Sequence, residues 1–163
     1  GIVARLQQAF KRLLEVVGTP GSDGRSRLDA PLVRPKLGRI MAEIEVLRYA
    51  SLRIISAHEK GRMPGPESSL SKLHYSELDK RVYTLMQEIL GPDGQLTAGA
   101  PPEVQYDPER PWDPHARWSY LYMLSFAETI YAGSSEIQKN IIGERVLGLP
   151  KELRADRLPR ERA

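Results

Sequence analysis

A chain of 163 residues with 40% apolar and 28% charged side chains has the size and composition of one globular domain with a buried core, or of a piece of a longer protein. Its net charge is +3, and the last 13 residues, Lys151–Ala163, hold five basic and three acidic ones, a solvated basic tail too weak to argue for nucleic acid. There is no cysteine for a disulfide or thiolate metal site, no apolar run long enough for a membrane span and no signal peptide, so a soluble cytoplasmic protein is expected.

The first element begins at once. Ile2, Val3, Leu6, Phe10, Leu13, Leu14 and Val17 recur at spacings of three and four, which predicts an amphipathic helix. No cap residue precedes it and Gly1 is not an initiator Met, so the chain reads as one cut from something longer. Gly18–Gly24 is a loop by composition. Asp29 is expected to cap a long second helix, with Pro31 and Pro35 near its first turn, where a missing N–H costs little. Leu37, Ile40, Met41, Ile44, Leu47, Ser51, Ile54 and Ile55 mark one face of it as far as about Lys60, before Gly61 and Pro64-Gly65-Pro66.

A third helix is predicted from Glu67-Ser68-Ser69, with Leu70, Leu73, Leu78, Val82, Leu85 and Ile89 as its stripe and Gly91-Pro92-Asp93-Gly94 as its end. Gln95–Trp112 is a proline-rich excursion. Asp113 then caps a fourth helix with Pro114 at its first position, carrying Trp118, Leu121, Tyr122, Leu124 and Phe126 to about Tyr131. A fifth runs from Ser135 to Leu147. Apolar residues alternate nowhere for more than a few positions. The expectation is an all-α fold: an antiparallel bundle of about five helices over residues 1–150, followed by the tail 151–163.

Bundles often carry metals, but the di-iron pattern needs Glu three residues before His. Those positions before His58, His74 and His115 are Ile55, Ser71 and Trp112, so no metal site is predicted. Neither a nucleophile elbow, a phosphate loop nor a dinucleotide fingerprint is present. The turn Ala132-Gly133-Ser134-Ser135 carries more. Ser135 and Gln138 have capping-box spacing, and Glu136 suits the helix dipole. Small residues and free N–H groups at a helix start admit a ligand with partial negative charge; a plain capped helix explains the same residues.

The stretch TIYAGSSEIQKNIIGERVLGLPKE resembles the last signature of the acyl-CoA dehydrogenase family. APLVRPKLGRIMAEIEVLR, ESSLSKLHYSELDKRV and MQEILGPDG resemble, in the right order, the helices and the Gln-Ile-Leu-Gly-Gly segment of its C-terminal domain. The resemblance implies a helical domain of an FAD flavoprotein that dehydrogenates an acyl-CoA thioester between its α and β carbons, with self-association into a dimer or tetramer. It places Gly133 against the thioester, Ser134, Ser135 and Glu136 by the flavin, and Glu88 and Gly91 near the adenosine diphosphate of a neighbouring subunit's FAD. Many members carry their catalytic glutamate where this chain has Ala132; others carry it on the helix leading into the domain, upstream of Gly1. No catalytic residue is therefore assigned within the chain. Glu88 for Gln, Pro92 for Gly, and Arg25 and Arg27 in place of an Arg-x-x-Phe-Gly segment all depart from the family's FAD pattern. The alternative is a non-catalytic subunit or assembly domain of a heteromeric enzyme. The isolated chain is expected to retain no FAD.

Overall fold

The computed structural model describes residues 1–20, 24–63, 65–95 and 118–151, and all regular structure among them is helical. Five α-helices follow in order: α1 Ile2–Gly18, α2 Val33–Glu59, α3 Glu67–Leu90, α4 Trp118–Glu128 and α5 Ser135–Arg145. Short 3-10 turns occupy Arg27–Asp29 and Gly91–Gln95. The excursion beyond Gln95, the Asp113 cap with Pro114, and His115 lie outside the described residues, as does the tail beyond Lys151.

The second helix starts later than Asp29. Ser26 caps the preceding turn instead, its Oγ accepting from the Leu28 N–H at 3.2 Å, and this draws Asp29 into the 3-10 turn. Ala30 precedes a proline and is extended, with ψ at 125°, as the clash with a proline ring demands. No helix can pass through that residue, so α2 opens at Val33 with no side-chain cap, and Pro35 falls in its first turn. Arg27, in turn, closes the end of α1: its Nη1 donates to the carbonyls of Val16 and Thr19 at 2.7 and 3.2 Å.

Cross-helix pairs fix the directions. Lys36 at the start of α2 meets Glu88 near the end of α3, while Glu43 further along meets Arg81 and His74 further back. On α4, Trp118 packs on Tyr83, and Glu128 lies by Lys72. Both neighbours thus run antiparallel to α3, the central helix, which touches all four others. Its Leu78, Val82 and Met86 are wholly buried, and each such side chain contributes about 1.5–3 kcal/mol of transfer free energy.

Leu6, Leu13 and Val17 of α1 and Leu37, Ile40, Ile44 and Leu47 of α2 join that core, as their spacing foretells. The outer members of each predicted stripe do not: Ile2, Leu14, Met41, Ile55 and Leu70 are exposed. A helix in this bundle presents only a narrow arc to its neighbours, and residues at the edge of the arc remain in solvent. α2 also keeps Val46, Tyr49 and Leu52 exposed beside Met41, a second apolar face. No helix among the described residues is long and apolar enough to cross a membrane.

Candidate functional site

α4 ends at Glu128 and α5 starts at Ser135, and a six-residue turn joins them. Two left-handed residues shape this turn: Ala132 at φ 54° and Gly133 at φ 90°. For alanine that conformation is strained by about 1–2 kcal/mol, so surrounding contacts must hold it. Gln138 supplies two of them. Its side-chain amide donates to the carbonyls of Ala132 and Gly133, each at 3.4 Å. A Cβ on Gly133 would collide with that amide, so the glycine is required on two counts.

The cap falls one residue earlier than the capping-box spacing predicts. Ser134, not Ser135, is the N-cap, its Oγ accepting from the Ile137 N–H at 3.4 Å. Gln138 is consequently in the fourth helical position, where its amide reaches the turn rather than the cap. Ser135 is buried and its hydroxyl donates to Glu77 Oε1 of α3 at 3.2 Å. Its N–H donates to the Thr129 carbonyl at 2.9 Å. Glu136 is exposed, and its own N–H, followed by the Ser134 hydroxyl, holds its carboxyl below the usual range. The first N–H groups of α5 therefore find partners within the chain.

Glu88 and Gly91 sit elsewhere. Gly91, at φ 57°, ends α3, and Glu88 one turn earlier pairs with Lys36 of α2. Along α3, Glu88 stands 11 residues and Gly91 14 residues beyond Glu77, the helix's contact to Ser135, which is about 16 and about 21 Å. The structure therefore gathers Gly133, Ser134, Ser135 and Glu136 near the middle of α3, by Glu77, and Glu88 and Gly91 at its C-terminal end. Arg27 is engaged in closing α1. Among the described residues no three histidine, aspartate or glutamate side chains converge to hold a metal.

Beneath the turn lies a group of charged residues that the periodicity argument passes over. Asp79 and Glu128, with side chains 3% and 2% exposed, come within hydrogen-bonding reach of each other. Arg5 of α1 bridges them, its Nη2 bound to Glu128 Oε1 and 3.8 Å from Asp79 Oδ2. Burial, then the Glu128 charge, pushes the Asp79 carboxyl up to about 8 against the pull of Arg5. Lys72 donates to the backbone carbonyl of Glu128, and the Tyr131 phenol is raised by burial and by its charged neighbour Glu128. One signal was readable: Asp79 stands in line with Tyr75, Val82 and Met86, a charge in the middle of a core stripe.

Comparison with known proteins agrees with the turn's signature. Residues 1–147 match the family model described as acyl-CoA dehydrogenase, C-terminal domain. The chain is 33% identical over 124 residues to acyl-CoA dehydrogenase IpdE1 of Mycobacterium tuberculosis, covering 76% of this chain and 28% of that protein. The fold superposes with a TM-score of 0.70 on the ChsE4-ChsE5 complex from Mycobacterium tuberculosis, at 25% identity over 93% of this chain and 36% of the other. A steroid acyl-CoA dehydrogenase, Tcur3481-Tcur3483, shares the fold at a TM-score of 0.67 and 21% identity, over 93% of this chain and 36% of its own. The chain thus spans about a third of the length of these relatives. With the bundle, its order of helices and the turn before α5 all in agreement with a match over residues 1–147, the chain belongs to the acyl-CoA dehydrogenase family, as its C-terminal domain.

Proposed function

We propose that this chain is the C-terminal bundle of an FAD-dependent acyl-CoA dehydrogenase that removes hydrogens from the α and β carbons of an acyl-CoA thioester. The observation that carries this reading is the family match over residues 1–147. The reaction needs a base near the α carbon and donors to the thioester carbonyl that make the α-proton acidic. Position 132 holds no ionisable group, and Glu128 one turn before it is buried against Arg5. The base on this reading comes from the helix that leads into α1. Its support is that Arg5 binds Glu128, which puts the start of α1 beside the turn.

The flavin, when bound, accepts the β-hydrogen as hydride. The chain's own residues fit its neighbourhood. Ser134 offers a half-buried hydroxyl beside the turn, Ser135 behind it is held by Glu77, and Gly133 has no side chain to obstruct the thioester. At the C-terminal end of α3, Lys36 beside Glu88 supplies the positive charge that a carboxylate near a pyrophosphate requires, with Gly91 close by. The second apolar face of α2 (Met41, Val46, Tyr49, Leu52) supports self-association into a dimer or tetramer. On this reading the parent is a cytoplasmic enzyme of fatty-acid or related lipid catabolism, and the isolated chain retains no FAD.

A second reading is favoured by Ala132: a subunit that completes a heteromeric enzyme without a base of its own. One relative of known structure is a complex of two different chains, ChsE4-ChsE5. The deciding experiment uses the full-length protein, purified alone and with its partner. Flavin absorbance and reduction by acyl-CoA in the protein alone establish the enzyme. Flavin and turnover that appear only with the partner establish the subunit, and neither with any acyl-CoA would remove both readings.

A further inference from the structure

We propose that Asp79 and Glu128 share a single proton and that the pair, clamped by Arg5, is the positioning element of the turn Thr129–Ser134. This goes beyond the reaction proposed above and holds equally for a catalytic and a partner subunit.

Three independent features lead there. First, Asp79 Oδ1 and Glu128 Oε2 are both buried and neither receives an N–H or O–H donor from the described residues. Two neighbouring orphan acceptors are satisfied together by one proton between them, whereas two bare carboxylates in contact repel. Second, the charges balance only with that proton. Arg5 is the one cation bound to the two carboxyl groups among the described residues. Lys72 reaches the Glu128 carbonyl rather than its carboxylate, and Arg12 stacks on Trp118 at 4.4 Å. The remaining groups facing the pair from α3 and the turn are the phenols of Tyr75, Tyr83 and Tyr131. Arg5 with one carboxylate and one carboxylic acid is neutral, the form that burial favours.

Third, the position is expensive unless it serves the turn. Glu128 is the last residue of α4, and a carboxylate at a helix C-terminus opposes the dipole. From there it touches what fixes the turn: its carbonyl accepts from Lys72, and its charge and hydrogen bond act on Tyr131, next to strained Ala132. Removing the proton puts a second negative charge beneath that turn. Asp79 takes the proton at neutral pH, since burial and Glu128 raise its carboxyl to about 8. A folded-state value above the unfolded one, about 3.9, means the folded chain binds more protons, so stability falls as pH climbs between the two.

The test compares the chain with D79N, E128Q and D79A from about pH 6 to about pH 9. In the unmodified chain, infrared difference spectra should show a protonated carboxyl at neutral pH that disappears toward the alkaline end. Over the same range the Ser135 amide, which bonds Thr129, should exchange about tenfold faster or more after correction for intrinsic base catalysis, while Leu13 inside α1 keeps its protection. D79N keeps an N–H donor where the proton was. It should lose the infrared band, flatten the pH dependence of Tm and hold Ser135 protected, whereas D79A lowers Tm at every pH. E128Q should likewise abolish the band. An infrared spectrum without a protonated carboxyl at neutral pH overturns the proposal, as does equal pH dependence of Tm in D79N and the parent chain. Should D79N not fold, the band and the Ser135 exchange of the unmodified chain decide by themselves.

Discussion

Replacing Gly133 with alanine separates backbone strain from side-chain collision at the turn. The residue sits at φ 90°, where an L side chain adds about 1–2 kcal/mol of strain. The new Cβ also occupies the place of the Gln138 amide, which must swing away. That forfeits two hydrogen bonds of 3.4 Å to Ala132 and Gly133, long enough to be worth about 0.5 kcal/mol each. Gly133→Ala should therefore lower stability by about 2–3 kcal/mol in urea unfolding, with the slope of the transition unchanged. In a Gln138→Ala background the collision is gone, and only the backbone strain remains, about 1–2 kcal/mol. The double-mutant cycle then yields a coupling of about 1 kcal/mol. Additive effects to within about 0.3 kcal/mol, or a single-variant loss below about 0.5 kcal/mol, would refute the account of this turn.

Ser134→Ala should cost about 1 kcal/mol, the worth of an N-cap, while Ser135→Ala should instead leave the Glu77 carboxylate short of a donor; equal cap behaviour at Ser135 would contradict the register. Leu78→Ala removes a wholly buried side chain from the central helix and should cost about 2–5 kcal/mol by the same unfolding measurement. Glu88→Gln breaks an ion pair whose side chains are about half exposed; stability should change by less than about 1 kcal/mol, whatever happens to cofactor affinity in the parent.

The bundle was readable because its signals are local. Apolar residues three and four apart on α1, α2 and α3 need only be counted, and Gly61 and Gly91 end two helices by adopting positive φ. What escaped depends on neighbours. Asp29 has every property of a cap, but Ser26 before it and Pro31 after it decide where a helix can begin. Ser134 and Ser135 are chemically alike; burial of Ser135 against Glu77 chooses between them, and no spacing in the chain reveals that contact. Arg5, Asp79 and Glu128 lie up to 123 positions apart, and only tertiary packing joins them.

The same packing bears on the proposed reaction at a turn whose position 132 is alanine. A base in such chemistry works best with its proton affinity raised toward the working pH. Two carboxylates flank the turn. Glu136 is exposed at the first turn of α5, and its own N–H and Ser134 hold it in the ionised form, which weakens it as a proton acceptor. Glu128 is 2% exposed and bound to Arg5, so no substrate reaches it. Neither has both access and basicity. Arg5, one turn into α1, binds Glu128 at the end of α4, so the start of α1 lies against the turn that carries Ala132. Arg5 then serves two purposes with one guanidinium. It neutralises the acid pair beneath the turn, and it fixes α1 against the end of α4 that leads into the turn.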